Sequence, residues 1–226
     1  MSLIHKAAEV GDVETLRRLL SEGVSPDTPD DCIRSPLHCL RSIPQRNDTA
    51  DGLAACFKLL HDAGASLDAV DLDGHTPLHY AAYVGSAKMM SLLLAAGANV
   101  NATSYINCTA LHWAANVSDK RATDCVDLLL ARGASVNVRD DHGRAPIDMA
   151  LPHHRRRMWP LLLRAGAEIP TNITDPYLIR VRNAGGWKKY EQQHLARITS
   201  ILAPTPLLPP ELVRHVVDFW LHAGYY

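Results

Sequence analysis

The sequence predicts an all-α protein in which short helix-turn-helix units with hairpin-like tips stack into a solenoid, closed by a C-terminal helical segment. The first observation is an internal repeat: a glycine stands 18 residues after His5, His79 and Asp148, and a leucine stands four residues before each of these glycines. The second is that each unit offers two apolar helices of fewer than about 12 residues, which are too short to be stable alone in water. The units must therefore bury their apolar faces against each other.

Residues 71–102 form the most regular unit, DLDGHTPLHYAAYVGSAKMMSLLLAAGANVNA. Its first five residues are typical of a turn in which Gly74 adopts a positive φ. Thr76 is suited to cap a helix, and Pro77 is suited to the first helical position, where its missing N–H is harmless. A second apolar helix follows and ends at Gly97, in the usual position of a glycine after a helix. The unit thus predicts two short helices that follow a turn.

The T-P-L-H-x-A-A run at residues 76–82, repeated at a period of about 33 residues, resembles the ankyrin-repeat family. The resemblance covers residues 1–170 and leaves residues 171–226 as a helical C-terminal tail. It divides the first part into five repeats, at residues 1–26, 27–69, 70–102, 103–138 and 139–170. It also implies a structural role for the recurring glycines and histidines, since in this family the histidine hydrogen-bonds the backbone near the next hairpin. These residues are His38, His79, His112, Gly64, Gly97, Gly133 and Gly166.

Two repeats depart from the pattern. In the second, Ile33 replaces the turn glycine, which predicts a tip of different geometry, and the polar segment 42–52 predicts an exposed loop between the two helices. In the fourth, Asn107 takes the glycine position, which asparagine tolerates because it adopts the left-handed region more readily than most residues.

Composition argues against several classes of function. The net charge is −1 over 226 residues, so we expect no nucleic acid as a partner. No apolar run reaches the roughly 18 residues of a membrane span, and the N-terminus lacks the layout of a signal peptide. The cysteines are odd in number and form no C-x-x-C pair, which indicates neither a disulfide framework nor a zinc site. They are Cys32, Cys39, Cys56, Cys108 and Cys125. We therefore expect a monomeric cytoplasmic protein with reduced thiols and without cofactor or metal.

The basic run Arg155–Arg157 gives the nucleus as an alternative location. Such a run is typical of a nuclear-import signal or an anion-binding patch, and equally of a solvated helix edge. The adjacent pair His153–His154 lacks the cysteines or carboxylates that would complete a zinc site.

The motifs that carry catalysis are absent from the sequence: H-E-x-x-H, the P-loop, G-x-G-x-x-G and G-x-S-x-G. Gly185–Gly186 precedes two lysines but lacks the P-loop spacing, so we expect it to break a helix instead. No catalytic residue is predicted, and the expected function is a non-catalytic scaffold for protein–protein interaction.

Aromatic residues mark the candidate partner-binding surface. They make up only 6% of the chain, yet the third and fourth repeats hold Tyr80, Tyr83, Tyr105 and Trp113. In the family that this chain resembles, partners bind the hairpin tips and the concave face of the first helices. These four residues and Ile106 are therefore predicted to bind a protein partner. Because Tyr80 and Trp113 directly follow the recurring histidine, packing within the solenoid is the alternative interpretation for these two.

The tail predicts amphipathic helices that cap the apolar outer face of the fifth repeat. One helix begins at Asp175–Pro176, and another runs over residues 209–223. Between them, one helix face collects Trp187, Tyr190, His194, Ile198 and Ile201. Residues 208–213 resemble the opening of an F-box, which gives an alternative function: a substrate receptor of a ubiquitin ligase, with the tail recruiting the ligase. Against this, the remaining chain is shorter than an F-box, and the tail lacks the cysteine of a SOCS box.

Overall fold

The computed structural model describes residues 1–40, 50–118, 121–151 and 153–202, with the backbone alone at residues 50–51, 153–155 and 198–202. This part holds a 3-10 helix at His153–Met158 and twelve α-helices. The α-helices are α1 (Leu3–Val10), α2 (Val13–Ser21), α3 (Pro36–Cys39), α4 (Ala50–Asp62), α5 (Pro77–Tyr83), α6 (Ala87–Ala95), α7 (Ala110–Asn116), α8 (Arg121–Ala131), α9 (Pro146–Met149), α10 (Trp159–Arg164), α11 (Pro176–Asn183) and α12 (Trp187–Leu202). Within these residues there is no strand, and one isolated bridge joins Thr103 to Thr109. The predicted all-α fold is confirmed.

The helices pair in chain order and the pairs stack in two rows. Helices α1, α3, α5, α7 and α9 form the first row, and each contacts the next. The second row consists of α2, α4, α6, α8, α10 and α12, again with each helix against its successor. Contacts between successive pairs build a solenoid, as the repeat predicts.

Alanine lets the first-row helices approach closely. Ala81 and Ala82 on α5 and Ala114 and Ala115 on α7 are fully buried where these two helices meet. The second row is filled by larger apolar side chains, among them the leucines that recur four residues before each unit's final glycine. Those buried leucines are Leu19, Leu60, Leu93, Leu129 and Leu162.

A histidine in each of the first four pairs ties its unit to the next. The ring Nε2 donates to a backbone carbonyl at the start of the following unit, over 2.8 to 3.0 Å. The pairs are His5 with Arg34, His38 with His75, His79 with Cys108, and His112 with Arg144. In the last three rings, Nδ1 accepts the backbone N–H three residues earlier.

These contacts fix the protonation state of the rings. A carbonyl can only accept and a backbone N–H can only donate, so the rings of His38, His79 and His112 are neutral and carry their hydrogen on Nε2. Burial favours the same state: it lowers the pKa of His79 to about 4, although the bond to the Cys108 carbonyl acts in the opposite direction. Burial also lowers the pKa of His38 and of His112. The neutral ring is therefore part of the link between units.

A second ladder of hydrogen bonds, not predicted from the sequence, joins the other ends of the units. An Asp or Asn side-chain oxygen in one unit accepts the backbone N–H that lies two residues after the final glycine of the next unit. The pairs are Asp27 with Ser66, Asp68 with Asn99, Asn101 with Ser135, and Asn137 with Glu168. The glycines concerned, Gly64, Gly97, Gly133 and Gly166, all have positive φ. Each helix end is thus held by the preceding unit.

The four hairpin tips share one conformation. In each tip, the first residue's N–H donates to the carbonyl four residues later, and the fourth residue has a positive φ. Those fourth residues are Ile33, Gly74, Asn107 and Gly143. The prediction that Ile33 changes the geometry of its tip is wrong. Asp30 Oδ1 accepts the N–H groups of Cys32 and Arg34 and so holds the turn without a glycine. A left-handed β-branched residue costs about 1–2 kcal/mol, which these bonds offset.

The predicted loop at residues 42–52 overlaps the start of α4. Residues 42–49 lie outside the described residues, and the prediction is wrong at its end, because α4 already begins at Ala50. The last predicted helix, at residues 209–223, also lies outside the described residues. The boundary at residue 170 and the five-repeat division stay predictions.

Aromatic side chains join the last two helix pairs. Trp159 is fully buried and its ring stacks on Tyr177, with 6.1 Å between ring centroids. Tyr177 in turn meets the Tyr190 ring edge-on at 5.7 Å. Arg156 lies over the Trp159 ring and donates over 2.6 Å to Asp175, the residue that caps α11. One arginine of the basic run is therefore engaged in packing between pairs.

Candidate protein-interaction surface

Three aromatic rings, besides the buried ring of His79, lie around Trp113 on one side of the first helix row. The distances from the Trp113 ring centroid are 4.6 Å to His75, 5.3 Å to Tyr83 and 6.3 Å to Tyr80. Tyr80 and Tyr83 are three residues apart on α5 and so share one helix face, while Trp113 comes from the adjacent α7. We call these four residues the aromatic cluster. It brings together three of the five residues predicted to bind a partner.

The members of the aromatic cluster differ in how firmly they are held. The Tyr80 hydroxyl donates to Asp71 Oδ2 over 2.8 Å, and the Tyr80 ring meets the His38 ring edge-on at 5.4 Å. Burial, and then this bond to Asp71, raise the pKa of Tyr80 to about 12, so its hydroxyl stays protonated. Tyr83, by contrast, is 60% exposed. Tyr80 therefore serves as packing support, and Tyr83 presents the free aromatic surface.

A pocket of about 270 Å³ opens beside Tyr83 and Trp113. We call it the α7 pocket, because α7 supplies three of its walls. Its lining includes Tyr83, His112, Trp113, Asn116, Arg144 and Met149. The walls thus combine the apolar surface of Tyr83, Trp113 and Met149 with polar groups of His112, Asn116 and Arg144. Cys108, at the base of the fourth tip, also lines it and is buried.

Arg144 is the charged residue in the lining of the α7 pocket. Its Nε and Nη2 both bond to Asp140 Oδ2, over 2.9 and 2.7 Å. The Asp140 side chain is fully buried, whereas 48% of the Arg144 side chain is exposed. Burial alone would raise the pKa of Asp140, but bonds from Arg144 lower it, so the carboxylate stays ionised. The pair therefore presents its positive member to solvent.

Apolar side chains also line the hairpin tips. Tyr105 is 70% exposed and Ile106 45%, which places both predicted residues at the surface of the fourth tip. Leu72 and Ile33, at 55% and 52% exposure, extend this row through the third and second tips. We call these four residues the tip row. Leu72 and Ile33 were not predicted as site residues, although an apolar residue at a turn position, where polar residues are usual, was the available signal.

The tips are fixed to each other by backbone hydrogen bonds. Leu72 N–H donates to the Cys32 carbonyl, and Tyr105 N–H donates to the Asp73 carbonyl. Tyr105 also lies against Gly74: a Cβ at this glycine would stand 2.7 Å from the Tyr105 nitrogen and 2.8 Å from its Cδ1. The absence of a side chain at Gly74 thus allows both a positive φ and the close approach of the next tip.

Asp71, Asp73 and His75 are the one group within the described ranges whose ligand atoms lie close enough together to hold a metal ion, within 4.8 Å of one another. The Asp71 carboxylate already accepts the N–H groups of Asp73 and His75 and the Tyr80 hydroxyl. These bonds account for the group as a turn-stabilising network.

Two of the buried thiols, those of Cys56 and Cys125, offer little reactivity. Cys32 is exposed and the other four cysteines are buried. Burial raises the pKa of Cys56 and of Cys125 to about 11, which keeps both thiols protonated and poorly nucleophilic.

Comparison with known proteins shows which family shares this architecture. The family model described as "Ankyrin repeats (3 copies)" matches residues 4–104 and 47–140, so the two matches together cover more than half of the chain. Ankyrin repeat domain-containing protein 37 of Bos taurus is 39% identical over 82 residues, which is 35% of this chain and 46% of that protein.

Two Arabidopsis thaliana proteins are also similar. Potassium channel GORK is 39% identical over 80 residues, 35% of this chain and 9% of that protein. Putative E3 ubiquitin-protein ligase XBAT31 is 30% identical over 167 residues, 74% of this chain and 30% of that protein. This chain spans less than half the length of each of these three relatives.

In residues 1–202, apart from the gaps in the description, no helix combines the length and the apolarity that crossing a bilayer requires. The repeated helix pairs, the histidine links between units and the family match agree. The chain belongs to the ankyrin-repeat family.

Proposed function

We propose that this protein is a non-catalytic scaffold that binds a protein partner through the aromatic cluster and the tip row. The observation that carries the proposal is the exposure of Tyr83 beside the half-buried Trp113 at the mouth of a pocket. Large aromatic side chains anchored next to a pocket are typical centres of protein interfaces. Ankyrin repeats are protein–protein interaction units, and this agrees with the proposal.

The tip row supports a second contact region. Its side chains are apolar and exposed, yet the hydrogen bonds between tips hold their backbone in place. A preorganised surface loses less conformational entropy on binding than a flexible one. The two regions together would let a partner contact both the first helix row and the tips.

The test compares partner capture by the purified full chain with capture by the double variant Tyr83→Ser/Tyr105→Ser. We expect the specifically captured protein to be lost, because both aromatic anchors are removed at little cost in stability. The matched control is Leu3→Ser/Val10→Ser, which removes two exposed apolar side chains of α1, at the far end of the stack. Equal capture by all three proteins would contradict the proposal.

A second candidate function is that of a ubiquitin-ligase substrate receptor. XBAT31, which is similar over 74% of this chain, is named as a putative E3 ubiquitin-protein ligase. The resemblance of residues 208–213 to the opening of an F-box points the same way. The test is binding of the full chain to purified ligase adaptor proteins, compared with the variant Leu208→Ser/Leu212→Ser. Binding that depends on these leucines would favour this candidate, and absence of binding would remove it.

The proposed setting is a cytoplasmic monomer, with the nucleus as the alternative location. The lack of a predicted disulfide or zinc framework supports an intracellular location. Light scattering of the purified chain tests the oligomeric state, and fractionation of cells tests the location.

A further inference from the structure

We propose that the α7 pocket takes an extended segment of the partner in which a bulky aliphatic residue stands next to an acidic residue. This rests on the proposed function, since it specifies the partner of the same surface. The aliphatic side chain fills the space between Tyr83, Trp113 and Met149. The acidic side chain pairs with Arg144 at the edge of the pocket.

The size of the α7 pocket fits a side chain rather than a cofactor. Its volume is about 270 Å³, whereas pockets for drug-sized ligands and cofactors span roughly 300–1,000 Å³. A dry apolar cavity of about 150 Å³ already holds a benzene-sized group. One bulky aliphatic side chain with its adjoining backbone is therefore a suitable occupant. The exposed amide of Asn116 can donate to or accept from that backbone.

The charge of the pocket favours an acidic neighbour for the aliphatic residue. Arg144 is the cation among the lining residues, since His112 is neutral and its Nε2 is bonded to the Arg144 carbonyl. The guanidinium bonds to the buried Asp140 through Nε and Nη2. A carboxylate approaching from solvent would meet the opposite edge of the guanidinium, which carries Nη1. Charge-assisted bonds of this kind are stronger than neutral ones.

The neighbouring units show why this position is specific. In the second unit, Arg34 makes the same pair with Asp30, but only 23% of its side chain is exposed. In the fourth unit, Ser104 and Cys108 stand where the fifth unit has Asp140 and Arg144. No ion pair of the fourth unit therefore separates Arg144 from the apolar wall. The α7 pocket thus differs from the equivalent positions of the second and fourth units, because it combines an aromatic wall with an exposed guanidinium. A basic segment would meet Arg144 as a like charge.

The test starts from a random peptide library displayed on phage and selected on the immobilised full chain. We expect the enriched peptides to share a bulky aliphatic residue next to Asp or Glu. The strongest peptide is then synthesised with a fluorescent label, and its affinity is measured by anisotropy. Replacing its acidic residue by the amide should weaken binding by about tenfold, and raising the salt concentration should weaken it further.

Variants of the protein then show where on its surface the peptide binds. Tyr83→Ala and Arg144→Met should each weaken binding by about tenfold, while Arg144→Lys, which keeps the charge, should retain most of the affinity. Leu3→Ala, an exposed apolar residue of α1 outside both the aromatic cluster and the tip row, is the control and should leave peptide binding unchanged. A thermal melt of each variant confirms that it is folded. If Arg144→Met does not fold, the amide substitution in the peptide and the salt dependence decide the question.

Several outcomes would overturn the inference: no enrichment, a basic or uncharged consensus, or affinities insensitive to both Arg144→Met and the peptide amide substitution. The two proposals fail separately. If capture of the natural partner needs Tyr83 and Tyr105 but the acidic consensus is missing, the proposed function stands and the ligand class is wrong. If capture of the natural partner does not depend on either tyrosine, the proposed function itself is wrong.

Discussion

The middle of the solenoid, α5 to α8, and its C-terminal part, α9 to α12, are joined by different kinds of contact. In the middle, small alanines let the first-row helices pack closely, and histidine rings bond to carbonyls of the next unit. At the end, Asp148 takes the histidine position and accepts the N–H of Ala145 in its own unit, over 2.7 Å. The large Trp159 and Tyr177 rings fill the junction instead.

This difference shows two ways of joining neighbouring units. A histidine bond requires one ring nitrogen to reach one carbonyl, so it tolerates no change in register. Aromatic packing depends on filled volume and tolerates more variation in sequence, provided that the space stays occupied. The first kind produces a recognisable repeat, and the second does not.

The largest expected effect is at the C-terminal junction. Trp159→Ala should lower the free energy of unfolding by about 3–5 kcal/mol, because a fully buried indole leaves a cavity. Hydrogen exchange should accelerate most in α11 and α12. The matched variant is Trp113→Ala, whose ring is half-buried and should cost clearly less. Equal losses measured by urea unfolding would mean that Trp159 is not the main contact between the last two pairs.

In the middle of the solenoid, Ala82→Leu should cost about 1–3 kcal/mol, since the helices α5 and α7 leave no room for a larger side chain. Ala95→Leu, on the exposed side of α6, is the control and should change stability by less than about 0.5 kcal/mol. Urea unfolding of both variants is the measurement. If Ala82→Leu were as stable as the control, the close packing of the first row would be refuted.

The histidine links should make stability depend on pH. The pKa of His79 is about 4 in the folded chain, below the value of about 6.5 in an unfolded one. The unfolded state therefore binds the extra proton between these values, so stability is complete above about pH 6.5 and falls towards pH 4. Each such histidine contributes up to about 1.4 kcal/mol per pH unit within its window. Urea midpoints between pH 4 and 7.5 give the slope.

The variant His79→Gln isolates one of these links. It removes one titrating group, so its loss of stability between pH 6.5 and pH 4 should be smaller than that of the wild type. An identical slope in both proteins would show that other groups control the acid sensitivity.

The smallest expected effect concerns the second tip. Ile33→Gly should raise stability by up to about 1 kcal/mol, because relief of the left-handed backbone exceeds the entropy that glycine adds to the unfolded chain. Gly74→Ala is the opposite test in the third tip, where both the positive φ and the contact with Tyr105 predict a loss. Thermal melts of the two variants compare the tips directly. A gain from Gly74→Ala would contradict the described contact.

The parts of the fold that could be predicted from the sequence follow the same division between the middle of the solenoid and its C-terminal part. The helix pairs of the middle units were predicted because Gly97, His79 and Pro77 each have a local backbone role that the sequence displays. The tip conformation at Ile33 was predicted wrongly, because an aspartate side chain three residues earlier supplies the bonds that define the turn. The role of Trp159 could not be predicted, since its partners are set by packing rather than by spacing.

The candidate site was predictable in its members but not in its arrangement. Tyr83 and Trp113 were predicted from their places on the first helices of two neighbouring units, whereas the α7 pocket also depends on Arg144 from the next unit. Its ion pair with Asp140 is a local feature of one hairpin. That this pair turns its cation towards the aromatic wall is a property of the stack.

The histidine links have a consequence for where the chain can change length. From the final glycine of one unit to the residue before the next first-row helix the spacing is always 12 residues: Gly23–Ser35, Gly64–Thr76, Gly97–Thr109 and Gly133–Ala145. The extra residues of the second and fourth units fall elsewhere, between the two helices of a unit, where no ring has to meet a carbonyl. A peptide tag or a whole domain inserted there should leave the solenoid assembled, whereas one added residue in a hairpin would uncouple two neighbouring units.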